Sequence, residues 1–368
     1  MGRQWTYGLV FFLASSFAAG DAQAQAPGAL YIESNSPSAN TILKFDRNSD
    51  GSLAPSGEFA TGGKGTGTGL GNQGGLLLTK GDRFLLAINS GSNDVSVLAV
   101  GENGLRLVDR KPSGGLRPIS ITEDHGLVYV LNNGGAASGI DNISGFRISS
   151  RGYLTPIPGS TQTLSAPSVG PAQIHFNEEG NSLIVTEKNT NTIDVYRVND
   201  YGVAGNRTSY PSNGATPFGF ALGKRAQVFV TDAEGGAPNA SAVSGYELSE
   251  SGLKAIGGAS ATNRTSACWA AVTHDGRFVY SANTGDNTIS AFSIAHDGTL
   301  NLLNDNGSAA PADGAPADLA FSDGDRFLYV VNGAAHSINA YAVHQDGSLS
   351  PADGISGLPA GSTGLAAR

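Results

Sequence analysis

The chain of 368 residues is poor in several residue types that other protein classes depend on. It contains one cysteine, Cys268, so no intramolecular disulfide can form and stability must come from packing. Charged residues make up only 14% of the sequence, and the formal net charge is −9. Nucleic acids and anionic membranes attract basic surfaces, so this composition argues against both as partners.

Long apolar runs are scarce, and no segment after the N-terminus could span a membrane as a helix. The one notable run covers residues 7–19, follows Arg3 and precedes the small-x-small sequence AQA. This arrangement is typical of a secretory signal peptide, with an uncleaved anchor as the alternative. We predict a signal peptide over residues 1–24 and export to the periplasm or the cell exterior.

Segments with a helical period are also missing, whereas glycine is abundant at 52 residues. Because glycine adopts positive φ without steric cost, this composition suits many short strands joined by tight turns. Asp-Gly steps at 50–51, 275–276, 297–298 and 346–347 are typical hairpin turns. The sequence therefore predicts an all-β protein.

One strand-like stretch recurs seven times at intervals of 43 to 55 residues. The copies are ALYIES (29–34), FLLAIN (84–89), LVYVLN (127–132), SLIVTE (182–187), QVFVTD (227–232), FVYSAN (278–283) and FLYVVN (327–332). Two further strand patterns follow each copy, and one precedes every copy except the first. A period near 50 residues with several strands per repeat predicts a β-propeller.

The first repeat lacks an inner strand, and the final residues TGLAAR (363–368) resemble the inner strand PADLAF without having a repeat of their own. We predict that they complete the first blade. The result is a seven-bladed β-propeller of four-stranded antiparallel blades over residues 25–368, closed by the C-terminal strand. Closure removes the exposed sheet edges, so we expect a monomer.

Polar residues end most of the second strands, which in a propeller run toward the functional face. We expect these residues at the mouth of the central channel, beside residues that open the inner strands. The first group is Asn89, Asn132, Glu187, Asp232, Asn283 and Asn332, and the second is Arg117, Gln173, Phe218, Trp269 and Asp318. Asn and Asp also bond their own backbone in turns, so a purely structural role is the alternative.

Glu187 and Asp232 are the predicted catalytic residues, because crowded carboxylates can act in general acid–base catalysis. The Asn residues, Arg117, Gln173 and Trp269, together with His175 on an inner strand, are predicted to bind substrate. Oxygen ligands of this kind suit Ca²⁺ or Mg²⁺, so Glu187, Asp232 and Asn283 are the candidates if a divalent cation is bound.

Loops on the same rim offer a second kind of site. Residues 133–141 and 233–240 form longer connections than the other repeats have, and binding specificity is commonly placed on such loops. The Gly-rich stretch 61–71 fits no phosphate-binding fingerprint, because no strand–loop–helix context follows it. We predict that it is a rim loop between the first two blades.

The repeats DGRFVYSANTGDNTISAFSIAHDGTL and GDRFLYVVNGAAHSINAYAVHQDGSL resemble the seven-bladed propeller lactonase family, which includes 6-phosphogluconolactonase-like proteins and fungal carboxy-muconate cyclases. The resemblance covers nearly all of residues 25–368 and implies a lactone-opening or lactone-forming site at the channel mouth. In its most recognisable stretch Gly170, Pro171 and Glu187 match the family, while Ala172 and Gln173 stand where Arg and His are expected.

Three functions stay open on this basis. The first is an exported lactonase-like hydrolase that acts on a sugar or aromatic lactone through Glu187 and Asp232. The second is a non-catalytic propeller that binds a small molecule, glycan or protein through its rim loops. The third is a structural surface protein that needs no ligand.

Overall fold

The computed structural model describes residues 1–2, 28–137 and 139–368. The predicted signal peptide falls almost wholly outside these ranges. Seven antiparallel sheets account for all the described strands, and the prediction of an all-β propeller is confirmed. Three short 3₁₀ helices, Gly134–Ala137, Glu234–Gly236 and Asp323–Asp325, interrupt the loops. Within the described ranges, no helix is long and apolar enough to cross a membrane.

The strands are numbered in chain order. Blade 1 comprises β1 (Gly28–Glu33), β2 (Thr41–Arg47), β3 (Leu53–Ala60) and the C-terminal β30 (Thr363–Ala367). Blade 2 comprises β4 (Leu76–Leu78), β5 (Phe84–Asn89), β6 (Asp94–Gly101) and β7 (Gly104–Pro112). Blade 3 comprises β8 (Pro118–Asp124), β9 (Leu127–Asn132), β10 (Asn142–Ile148), β11 (Leu154–Pro156) and β12 (Gln162–Thr163).

Blade 4 comprises β13 (Pro171–Phe176), β14 (Ser182–Glu187), β15 (Thr192–Val198) and β16 (Ala204–Pro211). Blade 5 comprises β17 (Pro217–Leu222), β18 (Gln227–Asp232), β19 (Ala242–Ser249) and β20 (Gly252–Ala261). Blade 6 comprises β21 (Ala267–Val272), β22 (Phe278–Asn283), β23 (Thr288–Ile294), β24 (Leu300–Leu302) and β25 (Ala310–Pro311). Blade 7 comprises β26 (Pro316–Phe321), β27 (Phe327–Asn332), β28 (Ser337–Val343) and β29 (Leu349–Ser356).

The ring closes as the sequence predicts. Strand β30 pairs with β1 in antiparallel register, with Leu30 opposite Ala367 and Ile32 opposite Leu365. The backbone N–H groups of Ala29 and Arg368 each donate to the other residue's carbonyl, at 3.1 and 2.9 Å. The C-terminal strand therefore supplies the inner strand that the first repeat lacks.

Neighbouring blades are held together by apolar packing and by a repeated tyrosine contact. Tyr129, Tyr280 and Tyr329, at matching positions of their second strands, each donate a hydrogen bond to a glycine carbonyl in the outer turn of the next blade. In the last contact Gly51 has φ +90°, and a Cβ there would lie 2.4 Å from the Phe327 ring. The turn glycines are thus part of the interface between blades.

Antiparallel order places alternate connections on opposite faces of the ring. The upper face carries the connections between second and third strands and those between blades. The lower face carries the connections between first and second strands and between third and fourth strands. The predicted mouth of the channel lies on the upper face.

Candidate functional site

Most inner strands are irregular where they begin, at the upper face. Their pairing with the second strand shifts register in β8, β13, β17, β21, β26 and β30. Such bulges turn side chains out of the regular alternation and are common beside functional sites. Phe218 in β17 and Cys268 in β21 lie at two of these shifts.

Residues 70–74, which we call the channel segment, lie just before β4 of blade 2 and contact three other blades. The Asn72 side chain donates to the Ile119 carbonyl in blade 3, and the Asn72 carbonyl accepts from the Trp269 indole in blade 6 at 2.7 Å. The backbone N–H of Gln73 donates to the Ala172 carbonyl in blade 4 at 3.1 Å. The prediction that the whole 61–71 stretch is a rim loop is therefore wrong at its end, where Leu70 is already 6% exposed.

Gln73 forms the most complete of these contacts. Its carboxamide accepts from the Ala270 N–H at 3.1 Å and donates to the Ala270 carbonyl at 2.7 Å, as a neighbouring strand would. A Cβ on Gly219 would lie 2.0 Å from Gln73 Oε1, so this approach requires glycine in blade 5. The channel segment thus bridges blades that are far apart in the sequence.

Replacing Gln73 with alanine is expected to destabilise the ring. The change leaves the buried backbone N–H and C=O of Ala270 without their side-chain partner, which costs about 1–3 kcal/mol. Urea denaturation followed by tryptophan fluorescence measures the loss. Gln345→Ala, at an exposed position, is the matched control. Equal stability of the two variants would contradict a bridging role.

Lys188 lies directly after β14 and projects over the start of the neighbouring inner strands. Its amine donates to the Gly71 carbonyl at 2.5 Å and to the Pro171 carbonyl at 3.2 Å. The Phe218 ring centroid lies 4.6 Å from Nζ, and that ring packs against Trp269 at 5.0 Å. Burial lowers the pKa of Lys188 to about 8, since the charged form loses solvation.

Arg117 and Cys268 contribute to the electrostatic surroundings of Lys188. The positive charge of Arg117 adds to the lowering of the Lys188 pKa, and Arg117 Nε is buried without a hydrogen-bond partner. Burial raises the pKa of the Cys268 thiol to about 11, so it stays protonated at neutral pH. Lys188, Arg117, Phe218, Trp269 and Cys268 form what we call the mouth site, drawn from blades 3 to 6.

The polar residues that end the second strands do not line the mouth, and that placement is wrong. All six are completely buried, with exposed fractions of 0%: Asn89, Asn132, Glu187, Asp232, Asn283 and Asn332. Asn283, for example, donates to the hydroxyls of Thr288 and Ser290 in the adjacent third strand. They connect the second and third strands of their own blades. A direct role in binding or catalysis stays a prediction for each of them.

In blade 4 this connection consists of two carboxyl groups. Glu187 accepts from the Ser165 backbone N–H at 2.9 Å, from the Ser165 hydroxyl and from the Thr190 hydroxyl at 2.6 Å. Burial and the nearby Glu187 carboxylate raise the pKa of Asp194 to about 8. Asp194 Oδ2 accepts no hydrogen bond, although Arg207 Nε lies 3.4 Å away, and burial and Glu187 outweigh the pKa-lowering effect of Arg207. We infer that Asp194 is protonated at neutral pH and donates to Glu187.

Asp232 in blade 5 is a similar buried acid. Its carboxyl accepts from the Ser244 hydroxyl at 2.5 Å and the Ser212 hydroxyl at 3.2 Å. Burial raises its pKa to about 7. Glu187, Asp232 and Asn283 lie in three different blades and bond to separate hydroxyl and N–H groups, so the three candidate metal ligands do not form one coordination shell. In residues 28–137 and 139–368, no group of three or more His, Cys, Asp or Glu side chains could hold a metal ion.

The remaining predicted residues lie on inner strands. Gln173 accepts from the Phe220 N–H at 2.7 Å and links blades 4 and 5. His175 packs edge-on against Phe220, and burial lowers its pKa. Asp318 is 4% exposed, and burial raises its pKa to about 7. Of the predicted binding residues, Arg117 and Trp269 are the two that the structure brings to the mouth site.

Sequence reasoning missed Lys188 by a single position. Glu187 ends β14, but side chains alternate between the faces of a strand, so the side chain of the next residue faces the channel mouth. The same position in blades 2 and 6 holds Ser90 and Thr284, whose hydroxyls donate to Pro118 and Pro316 carbonyls. Lys188 is the one charged residue among these three equivalents, which is a signal present in the sequence.

Comparison with known protein families finds one match, over about a third of the chain. Residues 243–361 match the family model "Lactonase, 7-bladed beta-propeller". No curated protein matches the sequence. Together with the seven blades, the match confirms the predicted resemblance to the propeller lactonases.

Several solved structures share the complete ring. A candidate 6-phosphogluconolactonase from Bacteroides fragilis superposes with a TM-score of 0.74 at 17% identity, covering 94% of this chain and 99% of its own. The periplasmic gluconolactonase of Pseudomonas aeruginosa gives a TM-score of 0.74 at 15% identity, covering 93% and 99%. At these identities the similarity shows the fold alone.

Proposed function

We propose that this lactonase-like propeller hydrolyses a small lactone at the mouth site, with Lys188 as the general base and Arg117 as the oxyanion-stabilising group. The observation that carries the proposal is the environment of Lys188, whose amine is held by two carbonyls and has its pKa lowered to about 8. A base is most effective when its pKa lies near the working pH. Two proteins that share the fold are named as a candidate 6-phosphogluconolactonase and a periplasmic gluconolactonase, which makes lactones the first substrates to test.

The chemistry follows from the donors at Lys188. In its neutral form the amine has two N–H groups, which the Gly71 and Pro171 carbonyls accept, and a lone pair that can take a proton. That lone pair can deprotonate a water that attacks the lactone carbonyl. The resulting oxyanion gains a hydrogen bond from the otherwise unpartnered Nε of Arg117. Collapse opens the ring to a hydroxy acid, and the Lys188 ammonium returns the proton to the leaving alkoxide.

The apolar walls favour a ring-shaped substrate. Phe218 lies beside the Lys188 amine and packs against Trp269, and the two side chains are 8% and 7% exposed. Aromatic faces of this kind pack against the C–H surface of a sugar ring or against an aromatic ring. We therefore propose a sugar or aromatic lactone as the substrate.

Acid release from a panel of lactones tests the proposal. The mature chain is incubated with gluconolactone and dihydrocoumarin between about pH 6 and pH 9, and the uncatalysed rate is subtracted. We expect kcat/KM to rise with pH to a plateau above an apparent pKa near 8, because only the neutral Lys188 amine accepts a proton. Lys188→Arg should abolish lactone hydrolysis, and with it the rise of kcat/KM with pH. A folded protein that opens no lactone would overturn the proposal.

A binding function through the rim is the second candidate. Leu116 and Ile140 are 39% and 58% exposed on the upper face, beside the connection 133–141. Neighbouring exposed apolar residues of this size often mark an interaction surface. Loss of glycan-array binding in the Leu116→Ser, Ile140→Ser double variant, with no turnover of any lactone, would favour this function.

We also propose that the protein is exported. The support is the signal-peptide pattern in residues 1–24, and the Pseudomonas structure is that of a periplasmic protein. N-terminal sequencing of the protein from fractionated cells tests this. Cleavage after Ala24 is expected, and an intact Met1 in the purified protein would contradict it.

A further inference from the structure

A cleft of about 470 Å³ opens on the lower face between blades 2 and 3, on the opposite side of the ring from the mouth site. Its apolar floor comes from Phe84, Val100 and Val108, and Tyr153 forms one wall. Tyr153 is 53% exposed, which is unusual for an aromatic side chain in this protein. The volume is in the range of pockets that hold small ligands.

Three arginines surround this cleft: Arg83, Arg106 and Arg151. None of its lining residues is acidic. Among the described residues, no carboxylate lies within ion-pair distance of any of the three guanidinium groups. The concentration of unpaired positive charge is notable because the whole chain carries a formal net charge of −9.

Arg83 is held in place by the protein. Its guanidinium donates to the Ser150 carbonyl at 2.7 Å and lies 5.5 Å from the Phe84 ring centroid. This pair of contacts fixes the side chain across the junction of the two blades. The remaining guanidinium N–H groups are available to a ligand, and a guanidinium fork matches phosphate and carboxylate oxygens.

A cleft between blades 6 and 7 contains Arg277, the residue that corresponds to Arg83, in a different electrostatic environment. There Arg277 stacks on Phe278 as Arg83 does on Phe84, but its Nε lies 2.6 Å from the Asp275 carboxylate. Asp325 also lines that cleft. In blade 2 the position of Asp275 is occupied by Gly81. The blade 2–3 cleft therefore lacks the acid that neutralises the arginine, and it is lined by three arginines where the blade 6–7 cleft is lined by Arg277 and Arg326.

We propose that this cleft binds a small ring compound that carries phosphate or carboxylate groups, such as a sugar phosphate or a uronate. The three guanidinium groups would take the anionic groups, and Tyr153 would pack against the ring. The site is separate from the mouth site and does not depend on lactone hydrolysis.

Isothermal titration with defined probes tests the proposal. The two anionic sugars tested are glucose 6-phosphate and digalacturonate. Glucose is the control for binding of an uncharged ring, and inorganic phosphate is the control for binding of the anion alone. We expect at least one anionic sugar to bind more tightly than either control. Its dissociation constant should rise several-fold between about 20 mM and about 300 mM NaCl, because exposed charge pairs are screened by salt.

Variants separate this site from other sources of affinity. Arg106→Gln with Arg151→Gln changes only exposed side chains and should weaken binding at least tenfold with an unchanged melting temperature. Arg277→Gln, in the neutralised cleft, should leave binding unchanged. Binding that persists in the double variant but disappears in Lys188→Met would overturn the proposal and assign the anion to the mouth site. Absence of binding by both anionic sugars would overturn it as well.

Discussion

A chain that ends at Ser362 is expected to lose most of its stability. The deletion removes β30 and leaves β1 as an unpaired inner edge. Leu30 and Ile32, which are fully buried, and the pocket of Leu365 would be opened to water. Burying one leucine or isoleucine side chain contributes about 1.5–3 kcal/mol, so several such losses approach the whole stability of a domain.

The measurement is urea denaturation of the truncated and full-length proteins, together with light scattering. We expect a midpoint lowered to the point where folded monomer is hard to isolate, and aggregation through the free edge of β1. Arg368→Ala is the control, because it retains the strand and the backbone bonds to Ala29. A truncated protein as stable as the control would show that the ring does not need its closing strand.

Asp194→Asn is expected to stabilise the protein at alkaline pH. The native state holds a proton on Asp194, whose pKa burial and Glu187 raise to about 8, whereas the unfolded chain releases it near pH 4. Between these values the native state binds more protons than the unfolded state, so the free energy of unfolding falls as pH rises. The asparagine amide can donate to Glu187 at every pH. Blade 7 has an asparagine, Asn339, at this position, where its Oδ1 accepts from the Asn332 side chain at 2.7 Å.

The free energy of unfolding measured by urea at pH 5, 6, 7 and 8 checks this. The free energy of unfolding of the variant, relative to that of the wild type, should increase by up to about 1.4 kcal/mol for each pH unit. This is the slope expected when one proton is released. Asp232 and Asp318, with pKa values raised to about 7, should leave a residual slope in both proteins. Asp46→Asn, whose side chain is 57% exposed, is the control and should not reduce the slope. If the free energy of unfolding of Asp194→Asn depends on pH as steeply as that of the wild type, Asp194 and Glu187 do not share a proton in the native state.

The architecture was predictable because it depends on local and repeated signals. Alternating apolar residues, turn glycines and a period near 50 residues each report on one blade, and the inner-strand pattern of TGLAAR identified the closing strand. The contact between Tyr329 and the Gly51 turn joins opposite ends of the chain, yet it follows from the same repeat. Repetition thus extends local sequence information to the whole ring.

The site was less predictable because it depends on single positions and on one irregular segment. A shift of one residue moves a strand-end side chain from the blade interior to the channel, which separates Glu187 from Lys188. The contacts from Gln73 to Ala270 join residues 197 positions apart, and no local sequence pattern predicts them. The burial that sets the charge states of Asp194 and Lys188 arises only when the blades are assembled.

The most direct test compares two adjacent residues, Glu187 and Lys188, in lactone hydrolysis at pH 8. Lys188→Met keeps an unbranched side chain against Phe218 but removes the amine, while Glu187→Gln keeps the shape of the buried connection. Lys254→Met, at an exposed position, controls for the loss of a lysine. We predict that Lys188→Met lowers kcat/KM at least 100-fold, in line with general-base catalysis, and that folded Glu187→Gln retains most of the wild-type value. The opposite pattern, with activity lost in Glu187→Gln and kept in Lys188→Met, would contradict the mouth site.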